Sequence, residues 1–120
     1  MVNKNLIPRK IRHLRIRKRL KGTKQRPRVS IYRSAKNLFV QFIDDTCGHT
    51  LLSVSTLDKD FKNLQQYGGN KKAAGILGEL ASKKAIEKGI KKVVFDRGGY
   101  KYFGRIQTFA ESLRKGGLEF

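Results

Sequence analysis

The chain has a single cysteine, Cys47, and only two histidines, His13 and His49. One cysteine excludes an internal disulfide, and no Cys/His set has the spacing of a metal site. His49 lies close to Asp44 and Asp45, so these three residues are the one candidate for a general base or metal ligands. The alternative is an ordinary hairpin turn, because Asp, Thr and Gly favour turns and no oriented nucleophile lies nearby. We expect no metal, no cofactor and no enzymatic activity, with an RNA-processing enzyme that uses His49 as the competing hypothesis.

Acidic residues are absent from the first 36 positions, which hold 14 of the 28 lysines and arginines. The first acid is Asp44, so this segment supplies +14 of the net charge of +19. Charge of one sign at this density repels itself in a compact protein and usually indicates a polyanionic partner. A nucleic acid is the first such partner to consider, and an anionic membrane surface is the second.

Long apolar runs are also missing from the sequence. No segment approaches the roughly 18–20 apolar residues that span a bilayer. The N-terminus lacks the apolar core of a signal peptide, and it differs from an organelle presequence in having no serine before Ser30. Because 38% of the 120 residues are hydrophobic, we expect one domain with a core of its own.

Residues 1–22 predict a basic N-terminal extension. Ile7, Ile11 and Leu14 recur at helical spacing, and Gly22 suits the end of a helix. Like charges four residues apart should make such a helix fray in isolation, so we expect an anion to order it. The alternative is a solvated charge run. The predicted RNA contacts of this extension are Arg9, Lys10, Arg12, Arg15, Arg17, Lys18, Arg19 and Lys21.

Residues 23–120 predict one globular α/β domain. Three strand-like runs joined by short links favour an antiparallel meander. A helix between two strands requires a crossover, which adds a parallel pair. The expected order is β-β-β-α-β-α, a mixed sheet packed by two helices and preceded by the basic arm or helix. The predicted elements are strands at 28–34, 38–44, 50–56 and 92–96, helices at 71–88 and from residue 106, and a polar, mobile connection at 57–69.

The two faces of the predicted meander differ in chemistry. One face is aliphatic and should be buried, with Val29, Ile31, Val40, Phe42, Leu52 and Val54. The other carries hydroxyls, an amide and two aromatic rings, a combination typical of RNA-binding sheets. An ordinary wetted sheet surface explains it equally well. On the first interpretation the RNA contacts are Ser30, Tyr32, Gln41, Ser53 and Ser55, beside Phe39.

The segment FDRGGYKYFGR, residues 95–105, crowds glycines, aromatic residues and cations between the last strand and the last helix. The carboxyl end of a strand is where open α/β sheets place ligands. Its glycines allow a sharp turn and close approach, but their spacing matches neither the dinucleotide nor the Walker fingerprint. We expect cations to meet phosphates here and aromatic rings to stack on bases. By strand alternation, Tyr100 and Tyr102 should point one way and Phe103 the other.

Three long segments carry a family resemblance: RPRVSIYRSAKNLFVQFIDDTCGHTLLSVSTLDK, KKAAGILGELASKKAIEKGIKKVVFDRGGYKYFGR and AESLRKGGLEF. From about Arg9 to Phe120 the chain resembles the bacterial-type ribosomal protein numbered eighteen of the large subunit. The resemblance implies a structural constituent that binds 5S rRNA and helps attach it to the 23S-type rRNA in the central protuberance. The implied partners are 5S rRNA, large-subunit rRNA and neighbouring ribosomal proteins, with no membrane and no small-molecule substrate. The implied location is the cytoplasmic ribosome of a bacterium, or alternatively an organelle's ribosome.

The resemblance also implies RNA-binding residues, motif by motif. The first hairpin supplies Arg33, Ser34 and Lys36, and we add Arg28 from the preceding RPR segment. The glycine-tyrosine loop supplies Arg97, Gly98, Gly99, Tyr100, Tyr102 and Arg105. Phe103 departs from the family, which usually has histidine before this Gly-Arg pair, so packing or stacking replaces a polar contact there.

Overall fold

The structure is a computed structural model that describes residues 8–17 and 20–120. Within these residues, four strands form one sheet in the order β3-β2-β1-β4. They are β1 (Arg28–Arg33), β2 (Leu38–Asp44), β3 (His49–Ser55) and β4 (Val94–Asp96). The first three form an antiparallel meander, and β4 pairs parallel to β1. The predicted mixed sheet with one parallel strand is therefore confirmed.

The described residues contain four helices: α1 (Pro8–Arg17), α2 (Lys59–Lys62), α3 (Lys71–Glu87) and α4 (Gly104–Lys115). The predicted packing helices are α3 and α4, and α1 lies within the predicted basic extension. Three residues of that extension named above, Ile7, Lys18 and Arg19, lie outside the described residues. No helix in the described part of the chain is long and apolar enough to cross a membrane.

Helices α3 and α4 cover the aliphatic face of the sheet. Val29, Val40, Phe42 and Val54 are at most 1% exposed, as the strand alternation predicts. The two helices approach closely because their contact is made of small residues, and the Ser112 hydroxyl donates to the Gly75 carbonyl at 2.6 Å. Because α3 and α4 cover this face, the opposite face and the ends of the strands are the parts of the sheet that remain available to a ligand.

The connection at residues 57–69 corrects one expectation. We predicted a polar, mobile loop, whereas the structure places helix α2 there and buries Phe61 completely. The side chain of Phe61 anchors the connection in the core. The sequence did not predict this because Phe61 is a single aromatic residue among polar neighbours. Leu57, Leu64 and Tyr67 of the same segment stay exposed.

Candidate nucleic-acid interface

The loop between β4 and α4, residues 97–103, turns on two glycines with positive φ. Gly98 has φ +67° and Gly99 has φ +80°, and both are buried. A Cβ on Gly98 would collide with the carbonyl oxygen of Ile31, and a Cβ on Gly99 would collide with the carbonyl oxygen of Arg9. The partners that these glycines approach closely are thus β1 and α1 of the chain itself.

We expect Gly99→Ala to destabilise the protein more than Gly48→Ala. Both glycines have positive φ, which costs an L-residue roughly 1–2 kcal/mol, but a Cβ on Gly48 meets nothing within 4 Å. The alanine at position 99 would add a collision that pushes α1 off the loop. Urea denaturation of both variants measures the difference, and equal losses of unfolding free energy would show that α1 does not rest on Gly99.

Helix α1 docks on this loop through polar contacts. Arg9 Nη1 donates to the Gly98 carbonyl at 2.9 Å, and Arg12 Nε donates to the Gly99 carbonyl at 2.8 Å. His13 Nε2 lies 2.8 Å from Asp96 Oδ2. The apolar stripe read from the sequence is not the docking face, since Leu14 is 55% exposed. The basic helix therefore lies across the β4 end of the sheet face opposite α3 and α4, because Asp96 and Ser30 are register partners there.

Arg28 corrects one of the predicted RNA contacts. Its guanidinium is buried, donating through Nη1 to Asp96 at 2.7 Å and through Nε to Asp45 at 2.9 Å. Asp45 also accepts the Gly22 backbone N–H at 2.7 Å. The hydrogen bond from Arg28 is the main reason that the pKa of Asp45 is lowered. Arg28 of β1 thus binds Asp96 of β4 and Asp45, and Asp45 in turn holds the segment after α1. The Arg28 side chain is too deeply buried to contact a ligand.

Tyr100 is a second predicted RNA contact that the structure corrects. Its ring is only 5% exposed, and its hydroxyl accepts from the Arg33 backbone N–H at 2.9 Å. The guanidinium carbons of Arg9 and Arg33 lie 4.9 and 4.7 Å from the ring centroid. Tyr102 and Phe103 are instead exposed, by 44% and 71%. The expected alternation was wrong because residues 100–103 do not form a strand and the chain bends at Tyr102. Tyr100 therefore folds inward, and the other two rings face outward.

A cleft of about 290 Å³ forms where α1, the end of β1 and the loop meet. Its lining residues are Arg9, Arg12, Arg33, Tyr100, Lys101 and Phe103. None of its four cations has a carboxylate within ion-pair distance among the described residues, in contrast to Arg28. Lys101 and Phe103 belong to the cations and aromatic rings of this loop that we expected to meet phosphates and bases, although neither was among the individually named contacts.

The other predicted cations fall into two groups. Lys10, Arg15, Lys21 and Lys36 are exposed. Arg17, Arg97 and Arg105 make internal contacts: Arg17 lies 3.6 Å from Asp45, Arg97 Nη1 donates to the Tyr100 carbonyl at 2.8 Å, and Arg105 Nη2 donates to the Ser34 carbonyl at 2.9 Å. Ser34 itself bonds to Asn37 across the turn. The side chains of this second group therefore stabilise the fold through internal contacts and contribute less than the exposed cations to the surface that a ligand would meet.

The sheet face away from α3 and α4 carries the predicted polar and aromatic set in two cross-strand rows. Strand register aligns Ser30, Gln41 and Ser53 in one row and Tyr32, Phe39 and Ser55 in the other. The Tyr32 and Phe39 rings lie 6.0 Å apart. Helix α1 covers only the β4 side of this face, so the β2–β3 side remains accessible next to the cleft.

The residues of the competing site around His49 form an ordinary hairpin turn. Asp44 accepts from the Thr46 backbone N–H at 3.0 Å, and Asp45 is engaged by Arg28. His49 is exposed and pairs with Asp44 in the β2–β3 ladder. Across residues 8–17 and 20–120 no cluster of three His, Cys, Asp or Glu side chains is placed to hold a metal ion.

Comparison with known proteins gives the family of this chain. The family model described as ribosomal L18 of archaea, bacteria, mitochondria and chloroplast matches residues 3–120. The large ribosomal subunit protein uL18 of Clostridium kluyveri is 58% identical over 93% of this chain and 92% of its own length. That of Aquifex aeolicus is 54% identical over 91% of this chain and 90% of its own length. Both relatives are bacterial, which fits a ribosome of the bacterial cytoplasm. The chain therefore belongs to the ribosomal L18 family, and it is a structural protein of the large ribosomal subunit rather than an enzyme.

Proposed function

We propose that the protein binds 5S rRNA and helps to attach it to the large-subunit rRNA in the central protuberance. The observation that carries this proposal is the cleft, where four cations that have no carboxylate partner among the described residues lie beside the exposed ring of Phe103. Phosphates and unstacked bases are the two features that proteins recognise in folded RNA. Neighbouring ribosomal proteins are the further partners that we propose.

The distribution of acids supports one RNA-facing side. Three of the nine acids, Asp44, Asp45 and Asp96, accept hydrogen bonds within the chain. Of these, Asp45 and Asp96 lie beside α1, where they contact Arg17 and His13. The other six lie in or next to α2, α3, α4 and the C-terminus: Asp58, Asp60, Glu79, Glu87, Glu111 and Glu119. A polyanion would therefore meet net positive potential on the α1 side and mixed charge on the helical side.

Two kinds of contact would bind RNA on this surface. The exposed cations of α1 would supply affinity through phosphates, which carry little sequence information. Tyr102, Phe103 and the Tyr32–Phe39 pair would supply fit by stacking on bases that the RNA leaves unpaired. The proposed function thus includes RNA contacts by the exposed cations of α1 and by these four aromatic residues.

Phe103→Ala and Tyr102→Ala should each weaken binding to 5S rRNA by about 1–3 kcal/mol, the usual effect of losing one stacked base. The same variants should bind an unrelated RNA of equal length almost as well as the wild type does. Leu64→Ala is the matched control, because Leu64 is 63% exposed but lies in the 57–69 connection. Filter binding at one salt concentration gives all the affinities. Wild-type protein that does not prefer 5S rRNA over the unrelated RNA would refute the proposed function.

A further inference from the structure

We propose that Tyr100 is a positioning residue that holds Arg9 and Arg33 together as one binding site for RNA phosphates. This inference rests on the proposed function, since it names the groups through which the cleft takes its ligand. It assigns Tyr100 a role other than stacking on a base, for which its ring is too deeply buried.

Tyr100 is itself fixed in place. Its hydroxyl accepts the Arg33 backbone N–H at 2.9 Å and donates to the Arg33 carbonyl at 3.3 Å. These two bonds attach the loop to the last residue of β1. The carbonyl of Tyr100 accepts from Arg97 at 2.8 Å, which braces the loop from its other side. The ring therefore presents a rigid surface whose position is set by the sheet.

The two arginines reach this ring from separate parts of the chain. Arg9 comes from α1, and its Nη1 is tied to the Gly98 carbonyl at 2.9 Å. Arg33 comes from the end of β1, so its backbone is held by the sheet. Their guanidinium carbons lie 4.9 and 4.7 Å from the same centroid, a distance at which the ring attracts each cation. Arg9 also lies 5.8 Å from the Tyr32 ring, which restricts it further.

Holding two cations on one ring leaves their repulsion uncompensated. The carbons cannot be farther apart than the two centroid distances together, which is about one Debye length of ~10 Å at 0.1 M salt. No carboxylate among the described residues pairs with either arginine. An anion is the partner that would relieve this repulsion. The guanidinium fork matches phosphate oxygens, and neighbouring phosphates of one RNA strand would satisfy both forks.

The first test needs no RNA. In proton NMR spectra of the free protein, the δ-methylene protons of Arg9 and Arg33 should be shifted upfield by the Tyr100 ring current. Tyr100→Phe keeps the ring but loses the two hydroxyl bonds to Arg33, so it should reduce these shifts, whereas Tyr100→Leu should abolish them. Unshifted arginine protons in the wild type would overturn the positioning role, whatever the protein binds.

The second test measures binding to 5S rRNA as a function of salt. The slope of log affinity against log salt should fall by about one to two in Tyr100→Leu, since each phosphate contact contributes roughly 0.7–0.9. Tyr100→Phe keeps the ring but loses its hydroxyl bonds to Arg33, so it should lower the slope less than Tyr100→Leu does. Tyr102→Leu should lower the affinity without changing the slope. An unchanged slope in Tyr100→Leu would overturn the inference while the proposed function stands.

The double variant Arg9→Gln/Arg33→Gln covers the case in which Tyr100→Leu does not fold. It should reproduce the reduced slope, and adding Tyr100→Phe should change nothing further. A slope that stays at the wild-type value in the double variant would also overturn the inference. Wild-type protein without 5S rRNA affinity would instead refute the proposed function, and the NMR measurement would still decide the role of Tyr100.

Discussion

Raising the salt concentration from 50 to 200 mM should lower the affinity of the protein for 5S rRNA by about 10³–10⁵-fold, if roughly six to ten phosphates are neutralised. The physical reason is that each bound lysine or arginine releases counterions that salt restores. The exposed cations of α1 and the four cations of the cleft supply enough groups for this number of contacts. Filter binding or fluorescence anisotropy over this range measures the slope. A slope near zero would mean that phosphates do not dominate the complex.

A pair of triple variants locates the origin of that slope. Lys10→Gln/Arg15→Gln/Lys21→Gln removes three exposed charges without touching the contacts that dock α1. Its slope should fall by about two to three, at roughly 0.7–0.9 per contact. Lys83→Gln/Lys91→Gln/Lys115→Gln removes the same charge from α3, α4 and their connection to β4 and should leave the slope almost unchanged. Equal losses would indicate that net charge alone governs binding.

The sheet and its faces were predictable because strand alternation is a local rule. Residues two apart share a face, so the hydrophobic pattern of residues 28–56 sorted buried from open positions before any tertiary contact was known. The same rule places Ser30, Gln41 and Ser53 on one face, and the register of the short hairpins aligns them in one row. Local pattern was sufficient wherever the neighbouring strand was joined by a short link.

The predicted site residues that proved buried depend on contacts between distant parts of the chain. Arg28 was grouped with RNA-binding cations because no local signal shows that Asp96 and Asp45 will surround it. Tyr100 was assigned to stacking because the loop gathers aromatic rings beside cations, and no local signal shows that the Tyr100 hydroxyl will bond to the Arg33 backbone. The docking face of α1 was missed for a related reason. Its apolar stripe is visible in sequence, whereas its polar partners are loop carbonyls and a carboxylate that lie far along the chain.

Those distant contacts meet at Asp96, and the second large effect is expected there. Asp96 is fully buried, accepts from Arg28 at 2.7 Å and from the Gly98 backbone N–H at 2.9 Å, and contacts His13. Asp96→Ala would leave the buried guanidinium without one of its two carboxylates, so it should lower the free energy of unfolding by about 3–5 kcal/mol. Asp60→Ala is the control, since Asp60 makes a solvent-exposed pair with Lys84 at 2.9 Å and should cost at most about 1 kcal/mol.

A compensating variant separates loss of the ion pair from loss of packing at Asp96. Arg28→Met/Asp45→Asn/Asp96→Leu removes the buried charge together with both of its carboxylate partners, and the amide oxygen at position 45 can still accept the Gly22 backbone N–H. It should therefore be more stable than Asp96→Ala, as other buried pairs replaced by apolar residues have been. The same variant still lacks the carboxylate that His13 contacts, so α1 should be released from β4 although the sheet is intact. Urea denaturation reports the first effect, and faster tryptic cleavage within residues 8–17 reports the second. A compensated variant whose α1 remains protected from trypsin would show that the Gly98 and Gly99 carbonyls alone hold the basic helix in place.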